Sequence, residues 1–127
     1  MDREKLNRHI ADTYGVSAEY MWEKYPTFAV YRHQNSKKWF AVIMDIPKTK
    51  LSIDSSEPVS VVNLKCDPLL IGSLLLEDGF HRAYHMNKDK WISVRLDGSV
   101  DFEKLVWLLG LSFELTAPKL KRNKVKK

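Results

Sequence analysis

The residues with the most chemistry between them lie in one short stretch, His85-Met86-Asn87-Lys88-Asp89-Lys90-Trp91, followed by Arg95 and by Leu96-Asp97-Gly98-Ser99. Asn87, Lys88, Lys90 and Arg95, with Tyr84 and Trp91 interleaved, supply cations for phosphate, an amide for a base edge and rings for stacking. That is the chemistry of a nucleic-acid contact. The same residue types also describe a turn and an edge strand guarded by lysines against aggregation. An imidazole such as that of His85 can serve as an acid or base near neutrality, but local spacing fixes no carboxylate partner for it. His81 lies four residues before His85, yet the pair follows a helix stop and precedes a strand. Its spacing therefore does not put both rings on one side, as a metal requires. Asp97 stands in an Asp-Gly pair, a common way of writing a tight turn.

No glycine-rich phosphate loop, G-x-S-x-G elbow or H-E-x-x-H helix occurs in the chain. The expectation is a non-enzymatic protein with no cofactor and no metal. Cys66 is the only cysteine, which rules out an intrachain disulfide, fits a reducing compartment and leaves an inert thiol. No apolar run is long enough for a membrane span and the first residues carry no apolar signal core, so the expected setting is the cytoplasm, without membrane association.

The 127 residues, 44% hydrophobic and 29% charged, suit one soluble domain with its own core. The formal charge of +5 is misleading, because six of the 21 basic residues are Lys119, Lys121, Arg122, Lys124, Lys126 and Lys127. Residues 1–118 carry 15 basic and 16 acidic side chains, a net charge of −1. The expected organisation is a single domain over 1–117 and a basic, disordered tail over 118–127, available as an accessory phosphate contact.

Several elements must position these residues. Leu6, Ile10 and Tyr14 recur at helical spacing, and Gly15 is a stop. Phe28–Arg32 and Lys38–Ile46 read as a hairpin, with Val59–Leu64 as a third strand. Asp67-Pro68 writes a helix start, and Leu70, Ile71, Leu74 and Leu75 give that helix an apolar face closed by Gly79. Trp91–Leu96 alternates as a half-exposed strand, with Ile92, Val94 and Leu96 facing the core. Trp91, Ser93 and Arg95 then share the other face, open to a ligand. Ser99 or Asp101 caps a last helix striped by Phe102, Leu105, Leu108, Leu109, Ser112 and Phe113, and Pro118 ends it. The order α-β3-α-β2-α predicts an α+β fold, an antiparallel sheet of about five strands with helices packed on one face.

His85-Met86-Asn87-Lys88 with Trp91, Leu96-Asp97-Gly98-Ser99, Ser112-Phe113-Glu114-Leu115 and Asn63-Leu64-Lys65-Cys66-Asp67-Pro68 together resemble the hallmark segments of the MmcQ/YjbR-like family of small bacterial proteins. The resemblance runs from about Tyr14 to Thr116, with Met21 before Trp22 where the family usually has proline. It implies a compact α+β domain similar to frataxin-like and secretion-chaperone-like folds. It also implies DNA as the partner, the family being commonly labelled DNA-binding. The alternative is a module for a protein or small ligand, with a sheet face or pocket lined by Trp39, His85 and Trp91. A contiguous positive surface from His85 to Arg95 favours DNA, and a mixed or negative one favours the module.

Overall fold

A computed structural model of the chain describes residues 2–118. Helix α1 spans Asp2–Tyr14 and buries Leu6 and Ile10 completely. It ends where Gly15 turns to φ +67°, a left-handed geometry that favours glycine. The chain then runs extended, and Glu19 exchanges two 2.9 Å backbone bonds with Val30.

Strand β1 (Ala29–Arg32) pairs antiparallel with β2 (Trp39–Pro47), and β2 pairs with β3 (Pro58–Lys65). A 3-10 turn, Lys48–Leu51, lies between β2 and β3. Helix α2 is Pro68–Leu74, β4 is Phe80–Arg82, β5 is Trp91–Arg95 and α3 is Phe102–Thr116. The five strands form one antiparallel sheet in the order β1-β2-β3-β5-β4, so the three-residue β4 is an edge. The predicted element order and α+β class hold. No helix among the described residues is long and apolar enough to cross a membrane.

All three helices pack on one face of the sheet. Leu6 and Ile10 of α1, Ile71 and Leu74 of α2, and Leu105, Leu108 and Leu109 of α3 meet Ala29, Tyr31, Ile43, Val62, Leu64, Ile92 and Val94 there. Alternation within the strands sends Val30, Val42, Met44 and Val61 to the opposite face, into a second cluster with Phe28, Ile46, Leu51 and Val59. Between Tyr31 and Arg32 the register shifts across Phe40, so that Phe40 and Ala41 both serve the helix-side core. Ser112 fastens α3 to the sheet. Its hydroxyl donates to the Phe40 carbonyl at 2.6 Å and accepts from the Lys65 amide at 2.8 Å.

Three local expectations need correcting. Helix α2 ends at Leu74, well before Gly79, and Leu76 is exposed. Asp67 does cap α2, accepting from the Leu69 amide at 2.9 Å, but a helix of two turns leaves little apolar face beyond Ile71 and Leu74. Gly79, at φ +93°, instead lets the chain pass against α3's approach, where a Cβ would come within 2.5 Å of Val100. At α3, Asp101 stands at the N-cap without a side-chain cap bond, and Ser99 bonds Asp97 instead. The largest departure is that the sheet face opposite the helices, expected to lie open, is covered.

Candidate functional site

The segment after β4 folds back over the sheet face away from the helices and is tied there by buried bonds. Ser93 Oγ donates to Asn63 Oδ1 at 2.5 Å, Asn63 Nδ2 donates to the Tyr84 carbonyl at 2.8 Å, and the Tyr84 amide donates to Ser93 Oγ at 3.0 Å. Ser93 is fully buried. The face expected to be open at Trp91, Ser93 and Arg95 is therefore closed at its centre.

Most of the sequence-predicted site residues are engaged within the fold. Asn87 builds a turn: its Oδ1 accepts from the Asp89 amide at 2.8 Å and its carbonyl from the Trp91 amide at 2.9 Å. Lys88 Nζ donates to the Ala83 carbonyl at 2.9 Å. Lys90 is exposed, and its carbonyl accepts from the Cys66 amide at 2.8 Å. Trp91 is half-buried, opposite Lys65 in the strand register. Arg95 lies between two carboxylates, 3.0 Å from Asp78 and 3.1 Å from Asp97. Asp97 keeps its carboxyl below the usual range: burial opposes this, but the Ser99 hydroxyl and amide and the Arg95 charge prevail. The surface from His85 to Arg95 is thus mixed in charge. Lys119, Lys121, Arg122, Lys124, Lys126 and Lys127 lie outside the described residues.

His85 differs from its neighbours. It is exposed at φ +63°, a left-handed conformation for a residue with a side chain, which costs about 1–2 kcal/mol. Its ring lies 3.9 Å from that of Tyr84 and borders a cleft of about 280 Å³. The other walls are aromatic and thioether: Trp22, Tyr25, Phe28, Trp39, Met44 and Met86, with Val42 between them. Trp22 meets Trp39 edge to face at 5.8 Å and Phe28 at 6.0 Å, while Tyr25 stacks on Phe28 at 4.7 Å. Tyr25 remains half-exposed at the mouth. Trp39 and His85 were expected to share a pocket and do; Trp91 is not part of it. Trp22, Tyr25, Phe28 and Met86 join them in the lining and were not among the expected site residues. For Trp22, Tyr25 and Phe28 the available signal was the aromatic density of the Tyr20–Phe28 segment.

Cys66 and His33 lie inside the fold, away from this cleft. Burial first, and then the charge of Asp67, pushes the Cys66 thiol up to about 11, which leaves it protonated and unreactive. His33 is buried, its Nε2 2.8 Å from Thr116 Oγ1. Among the described residues, no three His, Cys, Asp or Glu side chains converge as metal ligands would.

This architecture recurs in other proteins. The sequence model of the family described as YjbR matches residues 11–115. Uncharacterized protein YyaQ of Bacillus subtilis (strain 168) is 36% identical over 116 residues, covering 91% of this chain and 98% of that protein. A crystal structure from Pseudomonas syringae has a TM-score of 0.89 at 39% identity, over 92% of this chain and all of the other. A crystal structure of a Deinococcus radiodurans protein of domain family DUF419, at 21% identity and a TM-score of 0.70 over 96% of this chain and 86% of the other, shares the fold.

Proposed function

The chain belongs to the YjbR family, and from that premise we propose that it is a non-enzymatic binding module for a flat, largely apolar small ligand. The ligand occupies the aromatic cleft, and His85 makes its polar contact. The observation that carries this reading is the cleft itself, with four aromatic rings and two methionines around one exposed imidazole held in a strained conformation. Small-molecule sites combine apolar walls with a few placed polar groups, at roughly 300–1,000 Å³. A volume of about 280 Å³ suits one ring or two fused rings. Strain of this kind persists where surrounding structure imposes it, and such residues cluster at binding sites.

The test is a titration of the isotope-labelled full chain with indole, quinoline and adenine. The expected result is saturable shifts of the Trp22 and Trp39 indole N–H signals and of the amides of residues 84–86. Binding that leaves those signals unmoved, or no binding by any of the three, overturns the reading.

DNA binding is the second reading. One observation favours it: Trp91 stands beside Lys90 and opposite Lys65, and neither lysine has an ion pair among the described residues. Against it, Arg95 is neutralised by Asp78 and Asp97, and the Asn87 carboxamide oxygen is used by its own turn. A short duplex titrated at low and high salt separates the two. Affinity that falls steeply with salt and again on Lys90→Glu supports DNA. Affinity indifferent to Lys90→Glu and Lys65→Glu removes the folded domain from DNA recognition.

A further inference from the structure

A second cleft, of about 450 Å³, opens between the Lys48–Leu51 turn and the edge strand β4. Three cations line it, Lys50 from the turn, Arg82 from β4 and Lys88 from the segment that closes the sheet face, and no carboxylate does. None of these three pairs with a carboxylate among the described residues, and three separate segments bring them to one concavity. A body with a net charge of −1 over residues 1–118 has acidic groups to spare, yet it leaves these three like charges to share one concavity. Mutual repulsion in such a place is relieved by an anion.

Two further features of the wall agree. Lys88 is anchored, its ammonium donating to the Ala83 carbonyl at 2.9 Å, so that two of its protons are left for another acceptor. His81 lines the same cleft, and its Nε2 is buried with no hydrogen-bond partner. Buried polar atoms are nearly always paired in the functional state, with protein, water or a bound group. The carboxylates that act on His81, Asp78 and Asp97, are both bound to Arg95 and are not free to neutralise the cleft.

We infer that this cleft is a binding site for the phosphate group of a small phosphorylated molecule, held by Arg82, Lys50 and Lys88. A phosphate monoester offers close to two negative charges and three acceptor oxygens, matching one guanidinium fork and two ammonium groups better than a single carboxylate does. The cleft exceeds what a bare phosphate fills, and Leu51, Phe80 and Tyr84 line the remainder with apolar surface for the rest of the ligand. The inference is independent of the aromatic cleft, which shares none of its lining residues.

The experiment titrates the isotope-labelled full chain with phenyl phosphate and with inorganic phosphate at constant ionic strength. Expected are saturable shifts at residues 50–52 and 81–88. Arg82 and Lys50 are exposed, so Arg82→Gln and Lys50→Gln preserve the fold. Each is expected to weaken phenyl phosphate binding at least about tenfold, the loss of one charge-assisted bond, while Lys90→Gln leaves it unchanged. Shifts centred after residue 118, no saturation at this cleft, or equal affinity in Arg82→Gln overturns the assignment. So does a DNA duplex that binds the same residues more tightly than phenyl phosphate does, since the cations then belong to a nucleic-acid surface.

Discussion

Asn63 and Ser93 face each other across the β3–β5 pair, both fully buried, and share a 2.5 Å hydrogen bond. With the Tyr84 amide and carbonyl they close a ring of three bonds in which every partner is internal. Two polar residues in the middle of a sheet are therefore the anchor for the segment that bears His85, Asn87 and Lys88. They also place the walls of both clefts, since Tyr84 lines one and its neighbour His85 the other.

Asn63→Ala is expected to cost about 1–3 kcal/mol, because it strands the Tyr84 carbonyl and one contact of Ser93 away from water. Ser93→Ala strands the Tyr84 amide instead. The two losses should not add, with a coupling of about 0.5–3 kcal/mol in a double-mutant cycle from urea unfolding. Hydrogen exchange at the Tyr84 amide should accelerate in each single variant. Additive losses would mean that the ring is not a unit.

The fold was readable because its elements are written locally. Asp67-Pro68, Gly15 and the alternation of Trp91–Leu96 each act within a few residues, and each does locally what its chemistry dictates. What could not be read was the cover on the second sheet face. Alternation correctly puts Ser93 and Arg95 on the face opposite Ile92 and Val94, but only tertiary structure brings Tyr84, Met86 and Trp22 over it. For the same reason Arg95 read as a free cation, since Asp78 is 17 residues away in sequence. The segments that carry the family resemblance prove mostly architectural: Asn63 holds the Tyr84 ring of bonds, Ser112 ties α3 to the sheet and Asn87 makes a turn.

Gly79→Ala should be among the most damaging single-methyl additions in this chain. The new Cβ would lie 2.5 Å from Val100 Cγ2 and 2.8 Å from Ser99 Oγ, on a backbone at φ +93°. Overpacking of this sort costs about 1–3 kcal/mol, and the left-handed geometry adds about 1–2 kcal/mol. The check is the urea midpoint, with Gly72→Ala as the control, since a Cβ there meets nothing within 4 Å. Equal effects at the two positions would refute the packing argument.

Stability should fall as the solution is acidified through the histidine range. Burial lowers the pKa of His33 below 6.5; the Phe113 backbone bond opposes this and Lys38 adds to it. Burial, then Arg95, lowers that of His81, against Asp78 and Asp97. The unfolded chain takes up protons first as pH drops through the ordinary value of 6.5. The contribution of both residues is therefore complete above that value and is lost as pH falls towards their folded pKa values. Urea midpoints between about pH 8 and pH 5 should decline in the wild type and flatten in His33→Gln/His81→Gln. An unchanged slope in the double variant assigns the decline to other groups.

His85→Gly separates the role of the imidazole from that of the backbone. At φ +63° glycine is relieved of the Cβ penalty of about 1–2 kcal/mol, but it adds freedom to the unfolded chain that offsets part of the gain. The net expectation is unchanged or slightly raised stability, up to about 1 kcal/mol. His85→Ala keeps the strain and should be no more stable than the wild type. Both variants lose the imidazole that borders the aromatic cleft, so both should weaken indole or quinoline binding to a similar extent despite their different stabilities. If the glycine variant binds these rings as well as the wild type does, the left-handed residue serves only the turn, and the cleft recognises its ligand through aromatic contact alone.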